Sequence, residues 1–471
     1  MSPTPRLLLP RTTPEEAGVD PAGIADLVRA LDAGGGTHSL MIVRQGRVIA
    51  EHWWHPHAAD QPHQMYSVSK TVTAMAVGLA VHEGLLALDD RVVDLLPDDV
   101  PADPSANLRA MTLRHLLTMT AGFEIDTMNA IVDDDMHWAR TILAVPVVRE
   151  PGTRFLYDTG VTYLLSAILH RATGARLLDW LTPRLFAPLG IDGITWQQSS
   201  QGIDTGGFGL TLTTEHMAAF GQLLLQNGRW GDAQLIPAEW IADATARHSD
   251  PSVMGWGIES TVGYGYQLWH CTSGAYRADG AFGQFVVVWP QHDAVVAITS
   301  GLPFETQNDQ LALTWEHLAP AFDRAPRGDA EPIGALRLPV PRGAARGTVK
   351  GGSFAYDGGT VALTRQGDLL DLELEGLRVV AAHDAWHENA ARVPIDGQWH
   401  PLHGSYAWTA ERTLEVRGVT AGTPYARTAT LTFSPDGQTV EVAVDQNASF
   451  GSKELLRTTA VSTADAAAVR A

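Results

Sequence analysis

Apolar and polar positions divide the chain into three stretches of different character. Pro21 to Ala33 predicts a first helix, with Asp20 as N-cap and Pro21 in the first turn, where its missing N–H costs nothing. His38 to Val43 and Arg47 to Trp54 alternate on either side of Gln45-Gly46, the pattern of a hairpin. Thr71 to Glu83 predicts a helix closed by Gly84. From about Met111 to Leu225 the spacing is mostly helical, interrupted by Pro and Gly. Strands are then expected at Tyr264 to Trp269, Phe285 to Trp289 and Ala294 to Thr299, and a closing helix over Pro303 to Phe322. Strands early and late with helices between them imply an α+β domain: one antiparallel sheet assembled from both ends, beside a helical region.

Between Ala325 and Gly347 the chain becomes rich in Arg, Pro, Gly and Ala, which predicts a linker. Beyond it, short alternating runs such as Leu369 to Leu374 and Val440 to Val444 recur between Asp357-Gly358, Gln366-Gly367 and Asp436-Gly437. The expected organisation is residues 1–324 as a first domain, 325–347 as linker, 348–457 as a β-rich barrel or sandwich, and 458–471 as a frayed tail.

Composition narrows the function classes. The 471 residues are too many for one ordinary core. A net charge of −20 argues against nucleic acid or an anionic membrane as partner. The single cysteine, Cys271, excludes an internal disulfide framework, and buried apolar packing is its ordinary role. The short apolar run before Pro10 does not make a signal peptide, and no stretch approaches the roughly 20 apolar residues of a membrane span, so a soluble, cytoplasmic protein is expected.

The chain holds three lysines against thirty arginines. Of these, Lys70 alone follows a serine by three positions, in Ser67-Val68-Ser69-Lys70; Lys350 and Lys453 do not. With nineteen serines, chance supplies roughly 0.1 such matches. A GC-rich coding bias would also deplete lysine, so what informs is where a lysine persists. Arginine stays protonated in proteins, whereas a buried lysine can lose its proton and serve as a base. Three residues along a helix is about one turn, so Ser67 and Lys70 share a face. At a helix start, the dipole and burial both oppose protonation of Lys70. For an isolated motif of this length, a capping serine and a solvated lysine are the commoner explanation.

Further motifs carry a resemblance. Met65 to Thr71 resembles the nucleophile motif of the serine β-lactamase-related superfamily, which includes class C β-lactamases, penicillin-binding proteins, family VIII carboxylesterases and 6-aminohexanoate-dimer hydrolases. Leu113 to Phe123 resembles that superfamily's LRHLLTHTSGL, Pro151 to Thr159 its PGxxFxYSN, and Tyr163 to Gly174 its YxLLGxIIExxTG; Gly207 to Leu210 and Glu215 to Asn227 fit the same order. The match runs from about Glu15 to Phe322. It implies a β-lactamase/transpeptidase-like fold, Ser67 as acyl-forming nucleophile, Lys70 as proton relay, and Tyr157 as second-motif base given phenolate character by Lys70. It also implies an oxyanion hole from the amides of Ser67 and Ala281, with Gly280 allowing close backbone approach. Without the resemblance, Tyr157 would be a half-buried packing aromatic.

Two departures limit the substrate. The second motif, PGxxFxYSN, ends here in Thr159 rather than Asn, with Asp158 expected to face away; the superfamily's third motif, Lys-Thr-Gly or His-x-Gly, maps to Ala278-Asp279-Gly280, with Ala278 at the cationic position. Arg277 is adjacent, but strand alternation points it to the opposite face. Losing the cation disfavours substrates that need a carboxylate anchor. The expected activity is hydrolysis of a small ester or amide through an acyl-Ser67, with no cofactor and no metal. The rival readings are a D,D-peptidase or β-lactamase, and a catalytically silent binding protein of the same fold. His52, His55, His57 and His63 crowd the segment before Ser67. They match no zinc template, and a place at the pocket rim with Trp53 and Trp54 is expected. A small ester or amide is the expected partner; the sequence fixes no oligomeric state.

Overall fold

The computed structural model describes residues 7–133, 135–326, 330–347 and 351–463. Lys350, part of the expected linker and the tail beyond 463 lie outside the described residues.

The first half is built on a six-stranded antiparallel sheet. In chain order its strands are β1 (Thr37–Arg44), β2 (Arg47–Trp53), β5 (Trp269–His270), β6 (Tyr276–Gly280), β7 (Gln284–Trp289) and β8 (Ala294–Ser300); the two-residue pair β3 (His63–Gln64) and β4 (Thr211–Leu212) lies apart. The spatial order is β2-β1-β8-β7-β6-β5, so both ends of the domain do meet in one sheet. Gln45 and Gly46 both have positive φ, 51° and 72°, as a tight hairpin turn requires. Alternation along β7 separates two cores. Val286 and Val288 join the cluster over the helical region, while Phe285, Val287 and Trp289 join the one under α1 (Pro21–Gly34) and α5 (Asp309–Asp323).

Helix α2 (Val68–His82) passes through the first core and is buried without a break from Val68 to Ala80. It is therefore buried all round rather than on one stripe, with Ser69, Lys70, Thr71 and Thr73 among its enclosed residues. Its buried hydroxyls are satisfied locally: Thr71 donates to the Gln267 carbonyl (2.7 Å) and Thr73 to that of Gly206 (2.8 Å). The middle region is helical as expected, its longest members being α3 (Thr159–Thr173) and α4 (Thr214–Leu225).

Three expectations fail locally. The strand over Tyr264 to Trp269 shrinks to Trp269–His270, because Gly265 N–H bonds back to Leu268 O (2.9 Å) and Gln267 takes φ 58°, which folds the segment into a turn. The closing helix begins at Asp309 rather than Pro303, the preceding residues being turns. Of the tail expected to fray from Thr458, the part up to Ser462 is the end of β18 (Glu454–Ser462), paired with β17 (Thr439–Gln446).

The second half is a ten-stranded sheet whose remaining members are β9 (Gly352–Tyr356), β10 (Gly359–Gln366), β11 (Leu369–Leu374), β12 (Leu377–His383), β13 (His387–Ile395), β14 (Gln398–Ala410), β15 (Thr413–Thr420) and β16 (Ala426–Phe433). Strands β12 and β14 also pair in parallel, Ala381 with Gly404 and His383 with Tyr406, which closes a barrel. Its interior is the cluster around Phe354, Leu363, Tyr406, Leu431 and Val442. The stretch expected to be a linker is in part a strap: Leu338 and Val340 are buried in the core under α1 and α5, while Ala344 bridges to Trp408 of the barrel. The barrel meets the segment before Ser67 and the end of β8 directly. Gln64 N–H donates to Gly422 O (2.9 Å), Gln64 Nε2 to Asp396 Oδ2 (2.9 Å), and Asn447 Nδ2 to Gly301 O (2.7 Å). Among the described residues, no helix is long and apolar enough to cross a membrane.

Candidate active site

Ser67 stands at the N-terminus of α2 with helical angles (φ −72°, ψ −4°), and its hydroxyl makes no capping bond. The capping explanation for this serine therefore fails. Tyr66, just before it, holds φ 48°, a conformation that costs a non-glycine residue of order 1–3 kcal/mol. Two contacts hold it there: Ser69 Oγ donates to the Tyr66 carbonyl (2.6 Å), and the Tyr66 hydroxyl meets that of Tyr425 from the barrel (2.5 Å).

Lys70 is not solvated either; it is 1% exposed. Its Nζ donates to Ser67 Oγ (2.9 Å), Thr159 Oγ1 (3.2 Å) and Gly207 O (2.9 Å). Burial pulls its pKa from 10.5 down to about 8, against the opposing pull of the Asp126 and Asp158 carboxyls. Gly207 packs closely here: a Cβ there would sit 3.0 Å from Thr159 Cγ2 and 3.4 Å from Lys70 Nζ.

Tyr157 lies beside the pair. Its phenol lies close enough to Ser67 for that hydroxyl to favour the charged form, and Lys70 Nζ stands 5.0 Å from its ring centroid. The expected phenolate is not supported by its surroundings. Burial, reinforced by the Asp279 and Asp126 carboxylates, drives the phenol above its ordinary value despite the Ser67 hydroxyl and Arg277. Of the two partners, the lysine is the one brought toward its neutral form.

Thr159 fills the Asn position and opens α3. Asp158, expected to face away, is a buried N-cap that accepts from Gly160 N (2.9 Å) and from both the amide and hydroxyl of Thr127 (2.9 and 2.8 Å). Burial, then the neighbouring Asp126, pushes its carboxyl up. Asp126 Oδ1 in turn accepts from Thr159 N (3.0 Å). Sequence reasoning missed Asp126, and no motif marks it.

Gly280 closes β6. A Cβ there would come 2.2 Å from Met65 O, so only glycine lets this strand approach the nucleophile loop. Among the described residues, neither the Ser67 nor the Ala281 amide donates to a backbone carbonyl or a side chain. The turn carrying Ala281 is held by Phe282 N–H donating to Gln307 Oε1 (2.5 Å). Register places Ala278 opposite Val286, on the α2 side, and Arg277 opposite Val287, on the other face, as alternation requires. Arg277 is fully buried and ion-paired to Asp279 (2.8 Å).

Partly exposed aromatics line the approach. Trp256 meets Tyr157 (5.5 Å between centroids) and Phe304 (5.8 Å), while Phe450 of the barrel meets Phe304 (6.3 Å) and Tyr66 (6.2 Å). Three members of the expected histidine and tryptophan rim are not at a rim. Trp54 is buried with its Nε1 on Asp32 (2.8 Å), and His57 and His63 are buried beside His38. Cys271 is buried, its thiol pushed up to about 11 by burial, and it accepts from Arg277 Nη1 (3.4 Å).

Comparison with known proteins bears on the family and the fold. The chain is 25% identical over 290 residues to a 6-aminohexanoate-dimer hydrolase of Paenarthrobacter ureafaciens, covering 57% of this chain and 73% of that one. It is 26% identical over 174 residues to esterase EstB of Burkholderia gladioli, 33% of this chain and 43% of the relative. The solved structure of SurE with D-Leu superposes with a TM-score of 0.51 at 19% identity, over 94% of this chain and 99% of that one, so the fold likeness extends through the barrel. These two relatives are named as a hydrolase and an esterase, and others that match over about a third of the chain or less are named as acyltransferases. The family model described as Beta-lactamase matches residues 24–321, and the chain belongs to that family.

Proposed function

We propose that the protein hydrolyses a small ester or amide through an acyl-enzyme on Ser67. The observation that carries this is the buried Lys70 amine placed 2.9 Å from Ser67 Oγ, with a pKa low enough for a useful neutral fraction near pH 7. Neutral Lys70 takes the Ser67 proton as Oγ attacks the substrate carbonyl. The Ser67 and Ala281 amides receive the developing oxyanion. Tyr157, kept protonated by its burial, gives its proton to the departing alcohol or amine, and the proton held by Lys70 then passes to the Tyr157 oxygen, which leaves the amine neutral again. Water then attacks the acyl carbonyl by the reverse proton path and frees Ser67.

Substrate class follows from charge and shape. Arg277 is spent on Asp279, and Ala278 supplies no cation, so a substrate carboxylate has no anchor at this strand. Trp256, Phe304 and Phe450 favour an apolar acyl or alcohol group. The esterase and amide-hydrolase names of the relatives support both bond types.

The test is turnover of p-nitrophenyl esters and labelling by a fluorophosphonate, in wild type and Ser67→Ala. Turnover and labelling by wild type alone are expected. A wild type that neither labels nor turns over refutes the reading, and faster turnover of nitrocefin than of any ester moves the activity to β-lactams.

A further inference from the structure

We propose that His38, His57 and His63 form a binding site for a zinc-class divalent ion at the junction between the hydrolase sheet and the barrel. The three residues come from β1, from the loop after β2 and from β3, and all are buried, at 3%, 7% and 4% exposure. One ring nitrogen from each lies within 4.8 Å of the others. Imidazole nitrogens are ordinary ligands for zinc, nickel and copper.

Three details favour an ion over a packed cluster. First, His63 Nδ1 is 2.9 Å from the Gln64 carbonyl; donating there leaves the lone pair on Nε2, the tautomer-setting bond typical of metal-ligating histidines. Second, that Nε2 faces His38 Nδ1 at 3.0 Å. Two nitrogens each about 2.05 Å from a tetrahedral zinc lie about 3.3 Å apart, so the pair need open only by a few tenths of an ångström. His38 Nδ1 would release its hydrogen bond, its proton moving to Nε2, and both nitrogens would turn to the metal. Third, His57 Nε2 is buried with no hydrogen-bond partner among the described residues. An unpartnered imidazole nitrogen at such a site costs the fold, and a metal bond would remove that cost.

All three rings are held neutral, the form a ligand needs. Burial is the main cause in each case, joined at His38 by His57, His63 and Arg417, and His63 is brought to about 4. His38 and His57 stack with centroids 3.8 Å apart, so binding would require the rings to splay. No carboxylate belongs to the set, and water would complete the tetrahedron. His63 is four residues ahead of Ser67, and the barrel's His400 and His403 stand close enough to act on His63 and His57. The ion would tie the segment before Ser67 to β1 and to the loop after β2; none of the proton transfers at Ser67 requires it.

The experiment uses the full, tag-free chain stripped with chelator and dialysed. Titration calorimetry with zinc should show one equivalent bound and a raised melting temperature, and cobalt(II) should give the intense visible absorption of a tetrahedral site. His57→Phe keeps a ring in the stack but removes a ligand; it should weaken zinc by at least about 100-fold. Absence of stoichiometric binding, a weak octahedral cobalt spectrum, or zinc affinity unchanged in His57→Phe overturns the site. Should that variant fail to fold, the wild-type cobalt spectrum decides alone.

Discussion

Replacing Lys70 by arginine should abolish turnover, and the pH profile of the wild type should say why. Lys70 is brought from 10.5 to about 8 by burial. At pH 7 roughly a tenth of molecules would then carry a neutral amine, against roughly 0.03% for an unperturbed lysine, a gain of about 300-fold or ~3 kcal/mol. The active form is the deprotonated one, so kcat/KM should rise about tenfold per pH unit below 8 and flatten above it. Arginine retains three donors toward Ser67, Thr159 and Gly207 but does not deprotonate. Lys70→Arg should therefore lose at least about 100-fold across the range and show no inflection near 8. The assay is hydrolysis of a p-nitrophenyl ester between about pH 6 and pH 9.5, with Ser67→Ala as the blank. A flat wild-type profile, or an inflection that survives in Lys70→Arg, would remove Lys70 from the role of base.

Stability should report the same group. Burial places the folded pKa of Lys70 below its unfolded value, so the ammonium costs the fold up to ~3 kcal/mol below pH 8, and that cost fades as pH rises toward 10.5. Urea unfolding should show wild type gaining about that much on Lys70→Met over this window; equal slopes would contradict it. Gly280→Ala drives a Cβ to 2.2 Å from Met65 O. It should lower kcat by about 100-fold by moving Ala281 from Ser67, and cost about 1–3 kcal/mol by thermal melting. Phe450→Ala removes an aromatic that is 71% exposed. KM for a long-chain p-nitrophenyl ester should rise roughly fivefold, with acetate turnover unchanged. Thr159→Val deletes one acceptor of Lys70, and kcat/KM should fall roughly fivefold.

Local signals were legible wherever chemistry and structure agree over a few residues. The hairpin at Gln45-Gly46 is written in two residues that accept positive φ. The barrel strands follow from alternation between turn dipeptides. Tyr276–Gly280 was reached only through its motif, because Arg277 and Asp279 break the apolar pattern; their mutual ion pair is what permits them inside a strand. The linker reading took Pro and Arg content as exposure, whereas Leu338 and Val340 found a core to enter.

What the sequence determined by itself was the chemical inventory: a serine and a scarce lysine one turn apart, a tyrosine downstream, and a third motif without its cation. Only the tertiary structure decided how these groups are charged. Lys70 is lowered because chain 89 and 137 residues away, at Thr159 and Gly207, encloses its amine. Tyr157 is raised because burial and the carboxylates of Asp279 and Asp126 outweigh the Ser67 hydroxyl beside it. His38 joins His57 and His63 only through β1 and β3, and Phe450 reaches Tyr66 only because the barrel folds back over the nucleophile loop. Residue identity sets what a group can do; its distance from water and from other charges, which no local pattern encodes, sets which form it takes.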